Sequence, residues 1–276
     1  MKWSNVFQQP VKVVSEPEAQ EMMKTMGTDS YQLLDVRTHE EYEDEHIPGA
    51  TLVPLNELVA GQGDLDPEKP TIVYCRSGGR SQAASQWLNE NGFKEVYDIS
   101  YHIRDWLGIQ LPGEYSSSLD LINPDIDFPD AFALSYAMEE GLQQFYLRLE
   151  QQESRIELKD IYNRLAGFEN LHKEELKKRF VDKTSETFDY ESALTNHPDA
   201  IEGGDANRIS PFEVITQMKN LKDIFGLALA IEAQSFDLYV RLANKAEAEG
   251  SREAFMQLAD EEKKHMDYIT KEMAKF

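Results

Sequence analysis

Cysteine is almost absent. Cys75 is the single thiol in 276 residues, which excludes a disulfide within the chain and any Cys-x-x-Cys iron or zinc site. Long apolar runs are missing as well. No stretch of about 18 apolar residues occurs, so no membrane-spanning helix is expected. Met1-Lys2-Trp3-Ser4 opens without the apolar segment of a secretion signal, and a cytoplasmic location is expected on that ground. Positive charge is scarce: 28 Lys and Arg face 51 Asp and Glu, for a net charge of -23. Such a chain repels nucleic acid and anionic lipid, so neither is expected as a partner. Most of the acidity reads as solvated surface, for example the runs at 40–45 and 247–249.

What is present is enough for two domains, each burying its own core, with 41% apolar and 29% charged residues. From about 11 to 111 the chain alternates short β-branched runs (11–14, 31–35, 71–74 and 95–99) with helical stretches (18–26, 40–45, 55–59 and 80–91). That alternation predicts an α/β domain with a parallel sheet flanked by helices. Pro112-Gly113 and Ser116-Ser117-Ser118 then interrupt it, with Asn123-Pro124 and Phe128-Pro129 following. The boundaries expected are therefore a first domain at 1–111, a linker at 112–128 and a second domain at 129–276. The second domain shows no convincing strand. Its amphipathic pattern predicts four long helices near 129–152, 155–181, 211–245 and 250–275. The third starts at Ser210-Pro211, an N-cap followed by proline. The long 184–209 connection suits an all-α bundle with one crossover.

One pattern in this half is written twice. Glu139, Glu169 and His172 recur 93 residues later as Glu232, Glu262 and His265. The same shift carries Ala137 to Ala230, Tyr146 to Tyr239, Arg148 to Arg241, Leu149 to Leu242 and Leu165-Ala166 to Leu258-Ala259. Acidic residues are common here, 51 of 276, so the shared flanks carry the argument as much as the acids do. Residues i and i+3 share a helix face, so Glu169 points with His172 and Glu262 with His265. Glu232 directly follows the apolar run 227–231. A buried carboxylate there costs several kcal/mol unless it is paired or metal-bound. Four carboxylates balance two divalent cations. The expectation is a two-metal site within a four-helix bundle, with iron redox or oxygen-species chemistry. Mixed Glu and His ligation suits two iron ions, and manganese or zinc also fit. Tyr146 and Tyr239, two turns after a ligand glutamate, serve either the ligand shell and electron transfer or core packing. His39, His46 and His197 read as loop residues.

Cys75 ends the apolar run 71–74 and opens Cys75-Arg76-Ser77-Gly78-Gly79-Arg80-Ser81, after which a helix begins. A strand, a glycine-rich turn and a helix N-terminus aim backbone N–H groups at one point, which binds an anion and favours a thiolate. Arg76 and Arg80 add positive charge. The bland alternative, a small buried hydrophobe at a strand end, leaves the two glycines and two arginines without a purpose.

Leu33-Leu34-Asp35-Val36-Arg37, Glu40-Glu41-Tyr42, His46-Ile47-Pro48-Gly49-Ala50, the Cys75 loop and Trp106 together resemble a rhodanese domain over about the first 110 residues. The resemblance implies a sulfurtransferase in which Cys75 is the nucleophile and carries a persulfide. It also implies that the backbone N–H groups of Arg76, Ser77, Gly78, Gly79 and Arg80 cradle that sulfur, and that Asp35 and Arg37 make structural or site-edge contacts. Four residues separate Cys75 from Arg80, where related phosphatases have five, so the tighter loop favours sulfur over phosphate. Where rhodaneses usually show a Gly-Gly pair before the tryptophan, this chain has Tyr101-His102. His102 is either a substrate contact or a packing residue.

From about 129 onward, Glu139…Phe145-Tyr146, Glu169-Asn170-Leu171-His172, Ala230-Ile231-Glu232…Tyr239 and Glu262-Lys263-Lys264-His265 resemble the ferritin-like family, rubrerythrin in particular. The resemblance implies a di-iron centre acting on peroxide or oxygen, and a homodimer through the bundle. Ser235 stands where rubrerythrins often carry one more glutamate, and the cysteines of a rubredoxin domain are absent. An external electron donor is therefore expected, beside a sulfane sulfur donor and a thiol or sulfite acceptor. Sulfur chemistry at Cys75 coupled to the metals is one expectation. An iron-binding, storage or sensing protein with a sulfur-delivery module is the alternative.

Overall fold

The computed structural model describes residues 11–99, 128–197, 200–201, 204–205, 218–246 and 249–275. The chain divides into two compact units, Met1–Ser117 and Ser118–Phe276. The expected linker falls outside the described residues up to 127, as do Tyr101, His102 and Trp106.

In the first unit the elements run β1 (Lys12–Val14), α1 (Glu16–Thr25), β2 (Gln32–Asp35), α2 (His39–Asp44), β3 (Thr51–Leu52), α3 (Leu55–Val59), β4 (Thr71–Tyr74), α4 (Gly79–Glu90) and β5 (Val96–Ile99). The strands form one parallel sheet in the order β1-β5-β4-β2-β3. All four residues of β4 are buried, the mark of a central parallel strand covered on both faces. The two-residue period sends Leu33, Ile72 and Tyr74 into a core with Ala19 and Tyr42. It sends Leu34, Val73 and Cys75 into a second core with Leu58, Ala84 and Leu88. Strand β3 escapes the sequence pattern because two residues carry no period. Its place is fixed by tertiary bonding to β2, Leu34 opposite Thr51.

The second unit pairs α5 (Phe128–Gln152) with α6 (Ile156–Thr184), and α8 (Leu221–Lys245) with α9 (Glu249–Met273). Short connections make each pair a hairpin. The hairpins meet where α5 packs on α9 and α6 on α8. Two expectations are corrected. The helix bearing Glu232 begins at Leu221 rather than 211, because Asn220 caps it: its side chain accepts from the Asp223 N–H and the Asp223 carboxylate accepts from the Asn220 N–H. The segment around Ser210-Pro211 lies outside the described residues. The crossover also holds structure that the sequence did not suggest: helix α7 (Tyr190–Asn196) and an antiparallel pair, β6 (Ala200–Ile201) with β7 (Gly204–Asp205). A two-residue pair has no periodicity to read.

The bundle core is split. One apolar cluster includes Phe132, Met138, Leu176, Phe236, Tyr239, Phe255 and Ala259. The other includes Leu142, Phe145, Tyr146, Ala166, Ile231 and Ile269. On every long helix the predicted ligands fall between a residue of one cluster and a residue of the other: Glu139 between Met138 and Leu142, Glu169 and His172 between Ala166 and Leu176, Glu232 between Ile231 and Phe236, Glu262 and His265 between Ala259 and Ile269. A polar layer thus crosses an apolar core.

Candidate functional sites

All six predicted ligands come together in that layer. Glu139, Glu169, Glu232 and Glu262 are each no more than 3% exposed. His172 Nδ1 lies 3.3 Å from Glu139 Oε2 and 3.1 Å from Glu169 Oε2. In the second half His265 Nδ1 lies 3.2 Å from Glu232 Oε2 and 3.1 Å from Glu262 Oε2. The sequence repeat is therefore a repeat in space. The two imidazoles stack face to face, centroids 3.4 Å apart and planes within 4°. Ligand atoms of Glu139, His172 and His265 lie within 4.8 Å of one another, as do those of Glu232, Glu262 and His265.

Electrostatics follow from burial. It pushes the Glu139 carboxyl up to about 8, against the pull of His172. It also raises Glu169 well above the ordinary range, helped by the charge of Glu232. At Glu232 burial is outweighed by the hydrogen bond from His265, so that carboxyl is held down. His265, despite its burial, is raised by the same bond. Four buried carboxylates sharing two imidazoles are short of positive charge, and this donor set fits two divalent cations. Ser235, one turn beyond Glu232, is fully buried, and its hydroxyl has no hydrogen-bond partner among the described residues. The two tyrosines are buried in opposite apolar clusters, and the Tyr239 hydroxyl meets Met138 Sδ at 3.8 Å.

The Cys75 site stands on the central strand. Cys75 is the first residue after β4, and its Sγ accepts the Gly78 N–H at 3.2 Å. The Ser81 hydroxyl lies 3.6 Å from Sγ and donates to the Gly78 carbonyl at 3.1 Å. Gly78 turns the chain into α4 at φ 85, in the left-handed region where a side chain is strained. The 12-residue helix α4 thus presents its N-terminus to the sulfur. Ser77 and Gly79 are exposed on the loop, and Arg76 is half-exposed.

Asp35 and Arg37 form a buried brace. Arg37 Nε lies 3.0 Å from both carboxylate oxygens of Asp35, and Nη2 donates to Oδ2 at 2.7 Å. Arg37 Nη2 also donates to the Glu45 carbonyl at 2.5 Å, and the guanidinium sits over the Tyr74 ring. The pair ties β2 to the end of α2 and to β4. The 46–50 motif is structural on the same evidence. Tyr74 Oη accepts from the Ile47 N–H at 3.2 Å and Tyr42 Oη donates to the Ala50 carbonyl at 3.0 Å, around a turn with Gly49 at φ 79.

His46 is no ordinary loop residue. It is buried, stacks on Tyr42 at 3.8 Å and lies 2.9 Å from the Tyr42 carbonyl through Nδ1. His39 opens α2 and His197 follows α7. The reading of 40–45 as solvated acid fails at Glu41, whose carboxylate takes both terminal nitrogens of Arg80 at 2.6 and 2.8 Å. That pair holds the Glu41 carboxyl down to about 2. Thr38-x-x-Glu41, a capping box, was the legible signal for an anchored side chain.

A thiol at the end of a central strand, under a helix N-terminus, defines one class of site, and the carboxylate-histidine layer defines a second, helical class. The description "Rhodanese-like domain" matches residues 18–108 and "Rubrerythrin" matches 223–276. Thiosulfate sulfurtransferase GlpE of Coxiella burnetii is 38% identical over 95 residues, 34% of this chain and 86% of that protein. The Bacillus subtilis protein YqhL is 34% identical over 96 residues, 32% of this chain and 76% of its own length. The chain spans only 46% of YrkF from the same organism, at 38% identity over 85 residues, 31% of this chain. A rhodanese-like domain protein from Staphylococcus aureus, 23% identical, covers 35% of this chain and 91% of its own, with a TM-score of 0.32. The chain belongs to the rhodanese-like family, and it joins that domain to a rubrerythrin domain.

Proposed function

We propose that the protein is a sulfurtransferase that carries a persulfide on Cys75. The observation that carries this reading is the Gly78 N–H directed at Sγ beneath the N-terminus of α4. Partial positive charge and N–H groups there suit the anionic terminal sulfur of a persulfide. The thiolate attacks a sulfane sulfur donor, backbone N–H groups at 76–80 hold the anionic product, and a thiol or sulfite acceptor removes the sulfur. Asp35 and Arg37 act by keeping β2, α2 and β4 in place. The test is thiocyanate formation from thiosulfate and cyanide, with mass analysis of the intact chain. Cys75→Ser should abolish both turnover and the added mass of one sulfur; retained turnover would sink the assignment.

The helical unit is proposed to hold two iron ions through Glu139, Glu169, His172, Glu232, Glu262 and His265. Bound iron would supply one-electron redox chemistry toward peroxide or oxygen. The chain's own contribution is a layer in which the buried glutamates supply negative charge and the stacked, partly exposed imidazoles supply nitrogen donors. Electrons come from an external donor, the protein works in the cytoplasm, and the bundle pairs into a homodimer. Metal analysis separates this reading from iron storage: two ions per chain fit a redox site, many more fit storage. Cys75→Ser also tests coupling, which fails if metal oxidation and reduction in the presence of polysulfide are unaltered.

A further inference from the structure

The mouth of the Cys75 loop carries less positive charge than its two arginines suggest. Glu41 lies at the third position of α2 and is fixed there by its helix cap. Its Oε2 accepts the Thr38 N–H at 3.1 Å and the Thr38 hydroxyl at 3.2 Å. Arg80 grips the same carboxylate with both terminal nitrogens, at 2.6 and 2.8 Å, and Arg76 Nη1 stands 4.0 Å from Oε1. Two arginines and one glutamate leave a single net positive charge. A bidentate guanidinium has spent its planar fork on its carboxylate and offers little of it to an incoming oxyanion. The glutamate is 19% exposed, so the pairing is only partly screened by water.

We propose that Glu41 determines the donor class at Cys75: by neutralising Arg80 it disfavours doubly charged oxyanion donors such as thiosulfate and leaves the loop to persulfides of small thiols. This rests on the sulfur-transfer reading above. The step balances without an added oxidant. The Cys75 sulfur attacks the outer sulfur of R–S–SH, a new S–S bond forms on Cys75 as that of the donor breaks, and R–SH leaves with the electron pair and a proton.

Cys75 is the single cysteine, so alkylation reads this site alone. Rates with anionic iodoacetate and neutral iodoacetamide are compared in the full-length protein, for wild type, Glu41→Gln and Glu41→Asp. Glu41→Gln should raise the iodoacetate-to-iodoacetamide ratio roughly threefold to tenfold, the effect of removing one unit of negative charge from the mouth of the loop. The iodoacetamide rate itself should stay within about twofold of wild type, and Glu41→Asp, which keeps the charge, should keep the wild-type ratio. KM for thiosulfate should fall in Glu41→Gln relative to that for a small-thiol persulfide. An unchanged ratio, or a common change in both alkylation rates, overturns the proposal, since loop damage does not select for charge. A shifted ratio with no sulfur transfer by wild type would overturn the transferase reading and leave the charge assignment standing.

Discussion

At the scale of single residues, the carboxylate-histidine layer buries four acidic side chains together. Four carboxylates lie between two apolar clusters, and each imidazole answers two of them. Replacing Glu232 by Gln keeps the volume and removes a charge. We expect metal content to fall from two ions per chain toward one, and the metal-free protein to lose stability, because the change breaks the buried pair with His265. Metal analysis beside a denaturant titration checks both parts. The identities of these residues were legible because a 93-residue shift repeated them. Glu41 was not, because its partner Arg80 lies 39 positions away and only the fold brings them together.

At the scale of elements, caps decide where helices begin. Asn220→Ala removes one half of the α8 capping box and should cost about 1 kcal/mol of stability in the helical unit, read as a lower denaturation midpoint at unchanged slope. The turn between α5 and α6 depends on Glu153, whose carboxylate accepts from the Ser154 and Arg155 N–H groups at 2.8 and 2.9 Å and from Arg155 Nη2 at 2.6 Å. Arg155 in turn donates to the Met218 carbonyl at 2.8 Å, joining this turn to the approach of α8. The Arg155 guanidinium holds the Glu153 carboxyl down to about 2, from an ordinary 4.5. A depressed acid contributes its stability above the unfolded value and loses it as pH falls through the folded one. The helical unit should therefore lose stability between about pH 4.5 and 2 through this group, and Glu153→Gln should flatten that slope. Thermal melts across that window decide it; an unchanged slope would remove Glu153 from the account. The long helices were legible from their apolar period. The α8 start was not, since Ser210-Pro211 and Asn220 are both sound starting signals and only backbone bonding selects between them.

At the scale of the whole molecule, the chain divides into two units with separate proposed chemistries, and each unit should respond to its own ligand. Anything that binds only the folded state stabilises it, by about 2.7 kcal/mol at a hundredfold excess over Kd. Chelation should therefore lower the unfolding temperature carried by the helical unit, and leave Cys75 as reactive toward iodoacetamide as before. Calorimetry with and without a chelator is the measurement, and a chelator-insensitive melt would speak against resident metal.

The sequence by itself determined the alternation that makes the parallel sheet, the four helical stretches, the repeated Glu and His positions and the cysteine loop. Those signals are local, being periods and spacings within one element or one exact repeat. Only the tertiary structure decided that these four glutamates and two histidines form one layer between two apolar clusters, that β3 pairs with β2, that the crossover contains α7 and a short β pair, and that Glu41 takes Arg80 from the loop. Each of these depends on which residues far apart in the chain are brought within bonding distance, and no window of sequence contains that information.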